Sequence, residues 1–219
     1  MTADRSIYLR DEIRKLNKVW PENKSYHIVC HGHSIPCGYT AAHMVKTFDA
    51  YPHQLHRILN NRFPTSVINV ITSAIGGENS AAGAKRFVEE VLCHRPDLIT
   101  IDYARNDMYL TIGEAEIAWR QMIEQGLDYG AKLLLITPAP DCKKEYYSNR
   151  NSSDDELSEM IRSLAKEYGT GIVDVAEVFE RKIEMKHLLS SYLISVNHLT
   201  ADGHSIIAEE IADWFPFVC

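Results

Sequence analysis

Five short apolar segments, rich in β-branched residues, constrain this chain more than any other feature. They lie at 26–30, 66–71, 97–101, 132–137 and 171–175. Runs of that length with few polar interruptions suit strands buried on both faces. Stretches with helical spacing separate them. Ala84, Phe87, Val88, Val91 and Leu92 share one helical face, and Ser80 stands where it can cap that helix. Ile117, Ala118, Met122 and Ile123 mark the next helix. Ser153 and Glu156 form a capping box, which leads into Leu157, Met160, Ile161 and Leu164. Ile206, Ile207, Ile211 and Trp214 define a last helix. Strands alternating with helices predict a parallel sheet covered on both faces.

In such a sheet ligands bind beyond the carboxyl ends of the strands. Four polar clusters fall there. His33-Ser34 follows the first strand, and Ala74-Ile75-Gly76-Gly77-Glu78-Asn79 follows the second. Tyr103-Ala104-Arg105-Asn106-Asp107 follows the third, and Pro138-Ala139-Pro140-Asp141 the fourth. A serine hydroxyl is a weak nucleophile until a positioned base takes its proton. His198, far downstream in Ser195-Val196-Asn197-His198, is a candidate base for Ser34. The loop at 138–152 is long and polar, which suits a binding rim.

The segment before the first strand stands apart. Leu9, Ile13, Leu16 and Trp20 fall on one helical face that Pro21 ends. Residues 1–24 are therefore expected to form a helical extension to a domain at 25–219. Its apolar face is expected to cover part of the core, with a homodimer contact as the alternative.

The balance of residue types narrows the partners. A net charge of -7 over 219 residues lacks the basic stripe of a nucleic-acid surface. No apolar run approaches the ~20 residues of a membrane span. The first residues are charged and lack the apolar core of a secretory signal. Five cysteines, an odd number with no Cys-x-x-Cys spacing, point to reduced thiols and a cytoplasmic protein.

Taken in order, the clusters resemble the motif blocks of the SGNH (GDSL-type) hydrolases, from about residue 26 to 215. The first block, usually Gly-Asp-Ser, reads Gly32-His33-Ser34-Ile35, with Gly38 following. Ala74 stands where the second block usually offers a glycine N–H. Ala104-Arg105-Asn106-Asp107 stands for Gly-x-Asn-Asp, and Ser195-Val196-Asn197-His198 for Asp-x-x-His. The resemblance implies a three-layer α/β/α sandwich with a flavodoxin-like, mainly parallel five-stranded sheet. It implies a serine esterase that works through an acyl-serine without a cofactor or metal. Ser34 would be the nucleophile and His198 the base. Ala74 and Asn106 would donate to the oxyanion. A small-molecule or glycan ester is the implied substrate, with a short-acyl carbohydrate ester preferred. Pro36 disfavours the Gly-x-Ser-x-Gly elbow of another hydrolase fold.

Three departures stand out. Ala74 and Ala104 replace glycines, which requires a backbone conformation that alanine tolerates. His33 replaces the aspartate before the nucleophile. Ser195 replaces the aspartate that would orient the base and stabilise its charged form. Either a Ser-His dyad operates, or Asp141 or Asp202 supplies the acid. Rival readings remain for several residues. Cys37 is an alternative nucleophile. His31, His33 and His204 with Asp107 or Asp141 are a weakly patterned metal set. The turn at 76–80 is a phosphate cradle opposed by Glu78. The chain as a whole could instead be a non-catalytic flavodoxin-like ligand-binding or interaction protein.

Overall fold

A computed structural model describes residues 2–41, 44–141, 153–184 and 189–216. Five strands form one sheet, all parallel, in the order β2-β1-β3-β4-β5. They are β1 (Ser25–Gly32), β2 (Val67–Ala74), β3 (Leu98–Asp102), β4 (Lys132–Ile136) and β5 (Gly171–Val173). This is the flavodoxin-like order, in which the winding reverses beside β1.

Successive strand residues face opposite ways, and here both faces are apolar. Ile28, Cys30, Leu98, Leu134 and Ile136 pack into one core. Val29, Ile99, Ile101, Leu133 and Leu135 pack into the other. The first core is closed by α1 (Arg10–Leu16), α3 (Tyr51–Arg62) and α9 (Ala201–Ala212). The second is closed by α4 (Ser80–Glu90), α6 (Ile112–Tyr129) and α7 (Asp154–Tyr168). The remaining helices are α2 (Ser34–Cys37), α5 (Ala104–Asp107) and α8 (Val175–Glu184). Each fully buried Leu, Ile or Phe contributes about 1.5–3 kcal/mol, so the two cores together set the three-layer architecture.

Helix ends follow local chemistry. Ser153 and Glu156 form the expected reciprocal cap of α7, and Thr111 with Glu114 does the same for α6. The cap of α4 is Asn79 rather than Ser80: its side chain accepts the Ala82 N–H, and Ser80 becomes the first helical residue. Three apolar residues assigned to buried faces are instead exposed: Val88, Ile117 and Trp20. The apolar faces are narrower than their sequence patterns. For Trp20 the reason is that α1 stops at Leu16, so residue 20 leaves the helical face.

Leu9, Ile13 and Leu16 do enter the first core, beside Trp214 and Phe215. Tyr8 meets Trp214 edge to face, with ring centroids 5.7 Å apart. The N-terminal helix thus packs directly against the sheet domain.

Register places the site. Gly32 of β1 lies beside Ala74 of β2 and Asp102 of β3. The three strand ends therefore open onto one edge, with Ser34 two residues beyond.

Candidate active site

Ser34 opens α2, in a turn that its neighbours close tightly. The ring Nδ1 of His33 accepts the Ile35 N–H at 3.2 Å and caps the short helix. Gly38 ends it with φ of 85°, a conformation open to glycine but strained for other residues. Ser34 is half-buried.

His198 reaches the same hydroxyl from the loop before α9. Its Nε2 lies 3.1 Å from Ser34 Oγ. Its Nδ1 lies 3.1 Å from Ser195 Oγ, which also accepts the His198 backbone N–H at 3.2 Å. An Nε2 that accepts the serine proton requires its hydrogen on Nδ1, and Ser195 Oγ offers a lone pair to that hydrogen. The loop is closed by a bridge between Leu193 and Leu199 and by Ile194 N–H donating to His198 O at 2.9 Å. Burial lowers the His198 pKa below its ordinary 6.5, and the nearby His33 ring adds to the effect.

The atom at Nδ1 therefore belongs to Ser195, not to Asp141 or Asp202. Asp141 lies 3.6 Å from the guanidinium of Arg105, which also holds Asp154 at 3.0 Å. Asp202 is exposed in the first turn of α9. Both acids are tied to the sequence neighbourhood of the site, and neither orients the base.

Ala74 ends β2 and Asn106 lies in α5, so both fall on the Ser34 edge of the sheet. The glycine replacements bring no strain. Among the described residues other than glycine, only Arg95 has positive φ. The Asn106 amide donates one hydrogen to Glu78 O at 2.8 Å. Its second amide hydrogen is the donor available for a ligand. Next to it, Asp107 accepts Ser80 N–H and Trp119 Nε1–H, each at 2.7 Å. Burial pushes the Asp107 carboxyl up to about 6. Asp107 thus ties α5 to α4 and α6.

A buried polar network beneath these loops has no local sequence signature. The Glu78 carboxylate accepts two guanidinium nitrogens of Arg86, at 2.6 to 3.0 Å, and the Tyr103 hydroxyl at 2.8 Å. Tyr103 Oη also meets His31 Nε2 at 3.0 Å, and His31 Nδ1 meets Ser73 O at 2.9 Å. Burial lowers His31 to about 4, so it packs as a neutral ring. Glu78, set against an anion in the sequence, is paired with Arg86 instead. The network fixes the strand-two loop that Asn106 touches.

Tyr39 was also hidden in the sequence. Its ring stacks on His198 at 6.2 Å and 27°. Gly76 makes room for it, since a Cβ there would come within 2.8 Å of the tyrosine ring. An aromatic directly after Gly38 is the one signal that could have found it.

The rival groups are otherwise engaged. Cys37 Sγ donates to Ala74 O at 3.2 Å, and burial raises its thiol pKa, which disfavours the thiolate. His204 Nδ1 accepts the Tyr51 N–H at 3.3 Å and joins α9 to α3. Among the described residues no group of three or more His, Cys, Asp or Glu is placed to hold a metal.

The parallel sheet, the serine-bearing turn after β1 and the His198–Ser34 contact suit an α/β serine hydrolase. The sequence model of the GDSL-like lipase/acylhydrolase family matches residues 30–206. The chain belongs to that family and is a serine ester hydrolase. No curated protein matches it significantly. Among solved structures, it is similar to Axe2, an acetylxylan esterase from Geobacillus stearothermophilus. That match has 20% identity and a TM-score of 0.74, over 88% of this chain and 95% of Axe2. A lipase/acylhydrolase from Enterococcus faecalis matches at 21% identity and a TM-score of 0.70, over 85% of this chain and 93% of that one. An α/β hydrolase from the metagenome of Lake Arreo matches at 19% identity and 0.74, over 87% and 94%. At these identities the likeness is one of fold.

Proposed function

We propose that Ser34 attacks the ester carbonyl while His198 Nε2 takes the serine proton. The observation that carries this is the 3.1 Å contact between those two atoms, within reach of direct proton transfer. The Ser34 and Ala74 N–H groups and the free Asn106 amide hydrogen receive the negative charge that develops on the carbonyl oxygen. As the C–O bond breaks, His198 returns its proton to the leaving alcohol. Water then attacks the acyl-serine, with His198 again the base, and the acid departs.

Ser195 does half of what an aspartate does in this position. It holds the Nδ1–H tautomer, whose loss accounts for the large penalty of a triad acid-to-amide change. It brings no charge to stabilise the imidazolium.

For substrate we propose a short-acyl carbohydrate ester. The fold-level likeness to an acetylxylan esterase supports this choice. Tyr146 and Tyr147 of the polar 138–152 loop suit stacking on a sugar and lie outside the described residues. Free thiols at Cys30, Cys37 and Cys93 fit a cytoplasmic location, and among the described residues no helix is long and apolar enough to cross a membrane. Residues 1–24 are proposed as a helical extension to a hydrolase domain at 25–219.

The test is labelling by a fluorophosphonate, with the modified peptide identified, followed by p-nitrophenyl esters of rising chain length and acetylated xylo-oligosaccharides. Label on Ser34 and a rate that falls with acyl length are expected. Label elsewhere, or a preference for long chains, overturns the respective assignment.

A further inference from the structure

His33 and Asp102 form a second imidazole–carboxylate pair at the nucleophile. His33 is fully buried and Asp102 nearly so, and His33 Nε2 lies 3.4 Å from Asp102 Oδ1. The other ring nitrogen, Nδ1, lies 3.4 Å from Ser34 Oγ. The tautomer follows from the turn. Because the Ile35 N–H points at Nδ1, that nitrogen is an acceptor and the ring hydrogen sits on Nε2, facing Asp102. Neither His33 Nε2 nor Asp102 Oδ2 makes a hydrogen bond among the described residues, and the 3.4 Å approach to Asp102 Oδ1 is an ion-pair distance rather than a hydrogen bond. Ser34 Oγ thus stands between two imidazole acceptors, and the carboxylate lies behind His33 rather than behind His198.

The surroundings of Asp102 match that role. A buried carboxylate costs several kcal/mol unless it is paired. Its buried neighbours include the Tyr51 phenol and the Cys30 thiol. Burial and the Asp102 charge both raise those groups' pKa values, so both stay protonated. The partner that can take up positive charge beside it is His33. Two departures from the family pattern thereby become one observation. The block that loses its acid, at Ser195, is matched by a block that gains a base, at His33.

We propose that His33, backed by Asp102, is a second proton acceptor for Ser34. This rests on Ser34 being the nucleophile. In the step, the Ile35 N–H gives up its hydrogen bond to His33 Nδ1, and the Ser34 O–H proton passes to that nitrogen as Oγ forms its bond to the electrophile. The positive charge on His33 is then shared with the Asp102 carboxylate. Asp102 is a positioning residue, acting through the ring. The longer distance and the competing Ile35 N–H make this route slower than the one through His198.

A fluorophosphonate isolates the step, since fluoride leaves without a general acid. Labelling rates at Ser34 are compared for the unmodified chain, His198→Ala, and His198→Ala combined with either His33→Asn or Asp102→Asn. Asparagine at 33 can still cap α2. General bases contribute about 10²–10⁴-fold. His198→Ala should therefore keep labelling at least about tenfold faster than either double variant. Double variants that fold, by circular dichroism and melting, yet label within about twofold of His198→Ala overturn the proposal. Long-range proton–nitrogen spectra of the unmodified chain supply a second arm that needs no variant to fold. His33 should carry its hydrogen on Nε2, and an Nδ1–H form overturns the proposal. An unmodified chain that reacts nowhere at Ser34 refutes the nucleophile assignment instead.

Discussion

Ser34 is held by sheet register and a closed turn, whereas His198 rides on a loop shut by one isolated bridge and two hydrogen bonds to a serine. The position of Ser34 is set by Gly32 pairing with both Ala74 and Asp102 and by a cap on the Ile35 N–H. That of His198 depends on Ser195 Oγ, Ile194 N–H and the Tyr39 ring. Both sides lack the aspartate of the family pattern, and each has a different replacement: on the first, His33 caps the turn through Nδ1, and on the second, the Ser195 hydroxyl meets His198 Nδ1.

The comparison breaks most severely at the nucleophile. Ser34→Ala should lose about 10⁴-fold or more in kcat while the melting temperature stays close to that of the parent. A folded variant with parental turnover would remove the assignment altogether.

Asn106→Ala should cost about 10²–10³-fold in kcat with KM little changed, the usual loss for one oxyanion donor. Because the Asn106 amide also holds Glu78 O, some loss of stability is expected too. An unchanged kcat would leave Asn106 with the structural bond alone.

Ser195 tests the second side directly. A neutral hydrogen bond is worth about 0.5–1.5 kcal/mol, so Ser195→Ala should slow kcat by up to about tenfold. Ser195→Asp, which restores charge at Nδ1, should raise it. Equal rates for serine, alanine and aspartate would mean that another element orients His198.

The smallest effect is in pH dependence. His198 must be neutral to accept a proton, and its pKa lies below 6.5 because it is partly buried. As pH falls, the acid limb of kcat/KM should therefore begin below 6.5 rather than at it. A limb centred at or above 6.5 would contradict the buried placement of the ring.

The strands were legible in the sequence because buried parallel strands are continuous apolar runs. The residues proposed for the site were found from their places: Ser34 and Asn106 each follow such a strand, and His198 precedes the last helix. Helix α3 has a weaker signature, with Tyr51, Leu55 and Leu59 repeating every four residues. Val88 and Ile117 are exposed because a periodic pattern does not show how wide the partner surface is, and Trp20 because α1 stops at Leu16. Contacts made where loops meet after folding were not legible: Arg86 bonded to Glu78, Arg105 beside Asp141 and Tyr39 stacked on His198 follow from no spacing rule. The Asp102–His33 contact belongs to the same kind, although the histidine itself was visible as a departure.

The N-terminal helix carries a consequence for the order of events during synthesis. Its apolar face packs in the core with Trp214 and Phe215, and Arg5 pairs with Glu210 at 3.2 Å. Those partners emerge from the ribosome roughly two hundred residues after it. Until they do, Leu9, Ile13 and Leu16 lack part of the surface that covers them, and a seven-residue helix is too short to persist unaided. The segment is therefore expected to dock only after residues 201–216 have been made. Its docking joins residues 9–16 to Trp214 and Phe215, a clasp across the first core.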